Sequence, residues 1–180
     1  MEKGKWLVLN YNLPTEPSRY RVATWRGLKK LGAVNLHQSM WILPCNEENY
    51  SALARLAEDI EDKSGDALLM ESVCADERYE EKIITTFNTI RDEEYSEFID
   101  ESEKYLKEIE KEISIEKFTF AELEEEEEEL QKLISWFHKI EARDLFHASE
   151  GDSAKTKQEQ IGEAFEKYSE LVFQHNQNVN

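Results

Sequence analysis

The fold follows from one stretch of sequence, AVNLHQSMWILP at residues 33–44. Residues 33–37 and 39–43 are short, mostly apolar runs, and only a tight link at His37-Gln38 separates them. This pattern predicts two antiparallel strands joined as a hairpin. Pro44 ends the second strand, because proline cannot donate a hydrogen bond to a central ladder.

One strand and one helix are predicted on the amino-terminal side of this hairpin. Residues 6–11, WLVLNY, form an apolar run that indicates a buried strand. Ser18 is a suitable N-cap, and the helix should run to about Leu31, with Gly32 as its C-terminal stop. The expected inward side chains are Val22, Trp25 or the aliphatic stem of Arg26, Leu28 and Leu31.

A matching helix and strand are predicted on the carboxy-terminal side. Asn46 should cap the helix, Gly65 should follow its end, and residues 67–73 should form the last strand. The resulting order, β-α-β-β-α-β, predicts a ferredoxin-like domain over residues 1–75, with four antiparallel strands under two helices. The helical spacing that supports the second helix is carried by Tyr50, Leu53, Leu56, Ala57 and Ile60.

The second half, residues 76–180, is predicted to be an acidic helical domain, which makes the whole chain α+β. Apolar residues recur at helical spacing, and helices are expected at about 77–114, 119–146 and 153–176. Thr119 and Glu122 fit a capping box, the run of acids from Glu124 to Glu129 fits a solvated helical face, and residues 151–157 are expected to be a polar linker. The helices should form an antiparallel bundle, and a homodimer through this half is expected.

Charge divides the chain unevenly. The net charge is −18, yet residues 1–45 hold seven lysines and arginines against two acids, a local charge of +5. Such asymmetry favours an anionic partner, promoter DNA or an oxyanion such as chromate, for the basic part. In the competing interpretation, Trp25 and Trp41 are core residues and the arginines pair with the acidic helices. The candidate binding residues are Arg19, Arg21, Trp25, Arg26, Lys29 and Lys30, with Trp6 and Trp41 on neighbouring strands.

No pattern in the sequence indicates catalysis, a cofactor or a metal. Glycine-rich phosphate loops and HExxH or GxSxG motifs are absent, and His138, Asp144 and His147 are a weak metal set. Cys45 and Cys74 are expected at opposite edges of the sheet as reduced thiols. The sequence has no apolar segment typical of a signal peptide or a membrane span, so a cytoplasmic protein without membrane contact is expected.

Several ordered blocks resemble the N-terminal domain of the chromate resistance protein ChrB. These blocks include residues 6–9, 11–14, 16–18, 21–22, 25–26, 31–33, 39–44, 87–88, 91–95, 118–124 and 140–146, and the resemblance spans roughly residues 5–175. The first part is also similar to the phenylacetate-pathway repressor family.

The resemblance implies a regulator of chromate efflux that binds promoter DNA, without the second domain to which chromate sensing is attributed. The alternative is an oxyanion-binding or adaptor module that binds no DNA. Enzyme activity, as a nuclease or a chromate reductase, is not expected. The first strand ends at Asn10-Tyr11-Asn12, where similar nuclease subunits place a catalytic aspartate.

Overall fold

A computed structural model describes residues 4–177 of the chain. The chain divides into two compact units, with the boundary between Phe87 and Asn88. The first unit is α+β and the second is helical, as the sequence predicts. No helix in the described range is both long and apolar enough to cross a membrane.

The first unit contains a four-stranded antiparallel sheet with the strand order β2-β3-β1-β4. This order confirms the predicted ferredoxin-like arrangement, because the two hairpin strands lie on one side of β1 and the last strand lies on the other. The elements are β1 (Lys5–Asn12), α1 (Ser18–Lys30), β2 (Val34–His37), β3 (Met40–Pro44), α2 (Glu47–Asp62) and β4 (Asp66–Val73).

Both faces of the central strand β1 are covered. Leu7 is paired with Leu43 and therefore shares a face with it, and both are fully buried together with the α1 and α2 core residues Leu28 and Leu53. On the opposite face, the Trp6 ring stacks on Phe87, with ring centroids 6.0 Å apart. A strand buried on both faces reads as an unbroken apolar run, which explains the sequence of β1.

Two of the predicted N-caps are confirmed, but the one predicted for α1 is wrong: Pro17 occupies that position without a side-chain hydrogen bond, and Ser18 is the first residue of the helix. The Asn46 side chain accepts a hydrogen bond from the Asn49 amide at 2.8 Å, and Thr119 accepts one from the Glu122 amide at 3.3 Å. Gly32 follows α1 with φ of 78°, a left-handed conformation that glycine adopts without strain. The carboxylate of Glu122 forms an ion pair with Lys117.

The predictions of which side chains of α1 and α2 face inward are wrong in part. Val22 and Trp25 on α1 and Tyr50 on α2 are exposed, whereas Thr24 is buried beside Leu28. The α1 helix packs through Thr24 and Leu28, so the stripe containing Val22 and Trp25 points to solvent. A short helix with aromatic and aliphatic residues on two sides offers two apolar stripes, and packing chooses between them.

The predicted placement of the two cysteines is also wrong. Strands β3 and β4 are both antiparallel to β1 and therefore run in the same direction. Cys45 and Cys74, which follow these strands, lie at the same end of the sheet on either side of the start of β1. Neither cysteine forms a disulfide within the described residues.

The second unit is built on three helices, α3 (Glu77–Ser114), α4 (Phe120–Glu141) and α5 (Gly151–Gln177), of which α3 begins in the first unit. The α4 helix runs antiparallel to α3, since Tyr95 lies against Phe137 and Tyr105 reaches Glu126. Core residues on α3 and α4 recur with the alternating three- and four-residue steps of a heptad seam. These residues are Tyr95, Phe98, Ser102, Tyr105, Ile109 and Glu112 on α3, and Glu126, Leu130, Leu133, Phe137 and Ile140 on α4.

The boundary between α4 and α5 differs from the prediction. The α4 helix ends at Glu141, not near residue 146, and residues 151–157 belong to α5 and are not a linker. The Asp144 carboxylate accepts the Ala148 amide at 3.0 Å, a local bond that competes with helix continuation. Asp92 on α3 accepts the Glu150 amide at 2.8 Å and thereby caps the start of α5.

Candidate nucleic-acid interface

The α1 helix presents one exposed basic face. It contains five cations and no acidic residue in thirteen positions. Arg19, Arg26 and Lys30 share one row, at steps of seven and four residues, and Arg21, Trp25 and Lys29 share the adjacent row at steps of four. We refer to these six residues as the basic face. All six are exposed except Lys29, which is half-buried.

The opposite side of α1 fixes the direction of the basic face. Thr24 and Leu28 are buried, and Gly27 lies against α2. A Cβ atom at Gly27 would approach Leu56 Cδ1 to 3.0 Å, so the absence of a side chain permits this close helix contact. With this stripe packed inward, the two rows of cations must face outward.

Trp25 lies within the cations and not in the core. Its side chain is 49% exposed, whereas Trp41 on β3 is only 6% exposed. The Lys29 ammonium lies 6.0 Å from the Trp25 ring centroid, and Arg21 donates a hydrogen bond to the Thr15 carbonyl at 3.0 Å. An exposed indole beside cations is available to a partner with both charged and planar groups.

Four of the five cations of the basic face are not neutralised within their own unit. Among the described residues up to Phe87, Arg19, Arg21, Arg26 and Lys30 form no ion pair with a carboxylate of that unit. The Arg19 guanidinium instead lies 5.2 Å from the ring centroid of Tyr20. Trp6 and Trp41, which the sequence placed near these cations, are buried and do not contribute to the basic face.

A buried polar network in the second unit was missed by the sequence reasoning. Arg91 is 2% exposed, and its Nη1 atom lies 3.0 Å from the Glu94 carboxylate, which Arg143 also approaches, to 3.2 Å. Tyr95 donates a hydrogen bond to Asp144 at 3.3 Å. Burial, with the charge of Asp144, raises the pKa of Tyr95 well above its usual range. The sequence held one signal for this network: Arg91 stands four residues before Tyr95, at a position of the same heptad seam.

The residues considered for a metal do not form a site. His138 pairs with Glu141 at 3.4 Å, and Asp144 accepts hydrogen bonds from Tyr95 and from the Ala148 amide. Within residues 4–177, no group of three or more His, Cys, Asp or Glu side chains is arranged to hold a metal ion. The basic face is therefore the strongest candidate site.

Comparison with known families places this geometry in context. A family described as Protein ChrB, N-terminal, matches residues 21–179. The chain belongs to this family. The ChrB match includes all three long helices and most of the basic face, from Arg21 onward. Two of the blocks that carried the resemblance, residues 91–95 and 140–146, meet in the buried network around Arg91 and Arg143.

One curated relative supports the same assignment. Protein ChrB of Cupriavidus metallidurans is 33% identical over 94 residues, which cover 52% of this chain and 28% of that relative. The match thus spans less than a third of the relative's length.

Proposed function

We propose that this chain is a regulatory protein of chromate resistance that binds promoter DNA through the basic face of α1. The observation that supports this most directly is the exposure of Trp25 and of four of the five cations on a helix without a single carboxylate. The remaining parts of the proposal, chromate resistance and transcriptional control, rest on the resemblance to ChrB. The role is binding and not catalysis.

The physical argument begins from the overall charge. A protein with a net charge of −18 is repelled by a polyanion except where its local field is positive. The basic face supplies such a region, and its guanidinium groups form two parallel hydrogen bonds to phosphate oxygens. DNA would therefore approach in a restricted set of orientations, with α1 against the backbone.

A small oxyanion is a weaker candidate for this face. Arg19 and Lys30 are eleven residues apart, which corresponds to about 16 Å along the helix axis. Cations spread over that length on a convex surface cannot converge on one tetrahedral anion, but they match successive phosphates of a duplex. We therefore expect no greater thermal stabilisation by chromate than by sulfate through these residues.

Binding to the chain's own upstream DNA tests the proposal. In fluorescence anisotropy with a labelled duplex, Arg19→Gln, Arg26→Gln and Lys30→Gln together should weaken binding roughly tenfold or more. The matched control replaces three exposed lysines of the second unit, Lys107, Lys155 and Lys167, by glutamine. This control changes the net charge equally and should leave binding nearly unchanged. Equal losses in both triple variants, or no binding by dilute, monomeric protein, would contradict the proposal.

A further inference from the structure

A strongly acidic groove lies between α3 and α4. Its volume is about 780 Å³, and it is lined by eight glutamates against two lysines, a net charge of −6 when all are ionised. The acid run at the start of α4 supplies most of these side chains, and α3 supplies the rest. We call it the acidic groove. Its lining includes Glu101 and Glu108 on α3 and Glu122, Glu125, Glu128 and Glu129 on α4.

One carboxylate of this groove is buried without a partner. Glu126 is only 5% exposed, and among residues 4–177 no hydrogen bond or ion pair reaches its carboxyl group. It occupies a seam position of α4, three residues after Leu123 and four before Leu130. Burial, with the charges of Glu108 and Glu122, raises its pKa to about 7.

A second buried acid, Glu112, has the cationic partners that Glu126 lacks within the described range. Glu112 on α3 is 1% exposed, and its carboxylate is paired with Lys111 at 3.5 Å and Lys117 at 3.4 Å. Two buried acids at one end of the bundle thus have different surroundings, one with cations and one among other acids. A buried charge without a partner is costly, and a cation from outside the chain would offset that cost.

The shape of the acidic groove favours an extended cation over an ion. The described residues hold no arrangement of acids suited to a metal. The lining on α4 extends from Ala121 to Lys132, which are eleven positions or about 16 Å of helix apart. The ends of the basic face of α1, Arg19 and Lys30, are also eleven positions apart. The two surfaces therefore match in length and are opposite in charge.

We propose that the acidic groove of one copy of this chain binds the basic face of α1 of a second copy. The argument for a second copy is charge complementarity within a single sequence. Every copy carries one α1 helix with a charge of +5 and one acidic groove with a charge of −6. Each copy offers both surfaces, so a twofold-symmetric pair with two such contacts would be a closed dimer. The self-association does not depend on DNA binding.

This contact has a consequence for regulation, which does rest on the proposed function. A basic face held in an acidic groove is unavailable to phosphates, so DNA and the second copy compete for α1. The acid run of α4 then acts as a polyanion in place of DNA. Dissociation of the dimer would expose the DNA-binding surface.

Sedimentation velocity of the full chain tests the dimer. At about 20 mM salt the chain should sediment as a dimer, and at about 300 mM salt, where the screening length is shorter, as a monomer. Arg26→Glu in α1 and Glu125→Lys in the groove should each raise the dimer dissociation constant at least tenfold. Both positions are exposed, and circular dichroism checks that each variant is folded.

A mixture of the two variants provides the sharpest outcome. In the mixed dimer one contact keeps both native surfaces, and in the other the introduced carboxylate and the introduced ammonium group are again opposite in charge. The mixture should therefore regain the dimer that neither variant forms alone. The matched controls Lys155→Glu and Glu163→Lys on α5 should dimerise normally. A chain that is monomeric at low salt, a dimer unaffected by either charge reversal, or a mixture that does not associate would each overturn the proposal.

Discussion

Arg91 and Glu94 form an ion pair in which the arginine side chain is buried and the Glu94 side chain is 19% exposed, with Nη1 and Oε2 3.0 Å apart. Arg143 contacts the same carboxylate oxygen at 3.2 Å, so one acid pairs with two guanidinium groups. The approach to Arg91 is close but is not aligned as a hydrogen bond. Burial lowers the pKa of Arg91, an effect that the charge of Glu94 opposes.

Removing the shared carboxylate should destabilise the chain strongly. Glu94→Gln leaves the buried Arg91 charge without its counter-charge, and breaking such a pair costs about 3 kcal/mol or more. The free energy of unfolding, measured by urea titration at pH 7, checks this. Glu93→Gln is the matched control, because Glu93 is exposed and adjacent, and it should change stability by less than about 0.5 kcal/mol.

Glu126 should make stability depend on pH. Its pKa is raised from an ordinary value of 4.5 to about 7, so the folded state binds this proton more tightly than the unfolded state does. The contribution of Glu126 therefore becomes unfavourable as pH rises from 4.5 to 7 and stays so above that range. The titratable groups that interact with its charge include Tyr105, Glu108 and Glu112 on α3, Glu122 and Glu125 on α4, and Tyr168 on α5.

Glu126→Gln removes this charge and should stabilise the chain above pH 7, by at most about 3 kcal/mol. Near the ordinary glutamate pKa the difference from wild type should vanish, since both forms are then neutral in the folded state. Urea titrations across this pH range give the comparison. A difference that is constant with pH, or one equalled by exposed Glu127→Gln, would argue against a buried, unpartnered carboxyl.

Truncation of the two tryptophans, Trp41 and Trp25, should affect different properties of the protein. Trp41→Ala removes a buried ring from the sheet and should lower the free energy of unfolding by about 3–5 kcal/mol. Trp25→Ala removes an exposed ring and should cost less than about 0.5 kcal/mol. Affinity for DNA should instead fall in folded Trp25→Ala. Equal destabilisation by both changes would place Trp25 in the core and contradict the assignment of the basic face.

Asp92 should be required for the start of α5. It accepts hydrogen bonds from the Glu150 amide and, at 3.0 Å, from the Ser149 hydroxyl. Asp92→Ala should lower stability by about 1–2 kcal/mol, in the range of an N-cap loss. Hydrogen exchange should show faster exchange at residues 151–155, whereas exposed Asp100→Ala on α3 should leave these amides protected. Unchanged protection in Asp92→Ala would contradict the capping role.

The sequence predicted the fold because its signals are local. The apolar run of β1, the hairpin at His37-Gln38, and the caps Asn46 and Thr119 each act within a few residues of the element they define. Such signals are readable without knowledge of distant contacts. The start of α5 was missed for the opposite reason, since its cap comes from Asp92, 58 residues away.

The sequence predicted which residues form the candidate site but not how they are arranged. The six residues of the basic face were identified from charge, but the sequence could not decide whether Trp25 packs inward. The decision comes from Gly27, which lacks a side chain and so lets α1 lie close to Leu56 of α2, and from Thr24, which is buried. Glu126 was hidden within a run of six acids, although its place between Leu123 and Leu130 followed the heptad pattern.

The salt dependence of DNA binding tests the central claim most directly. If the five cations of the basic face contact phosphates, a plot of log Kobs against log salt concentration for the chain's upstream DNA should have a slope of roughly −3 to −5. Each cation replaced by glutamine should make the slope shallower by roughly 0.9. A flat plot, or a slope unchanged by Arg26→Gln, would contradict the assignment of α1 as the DNA-binding surface.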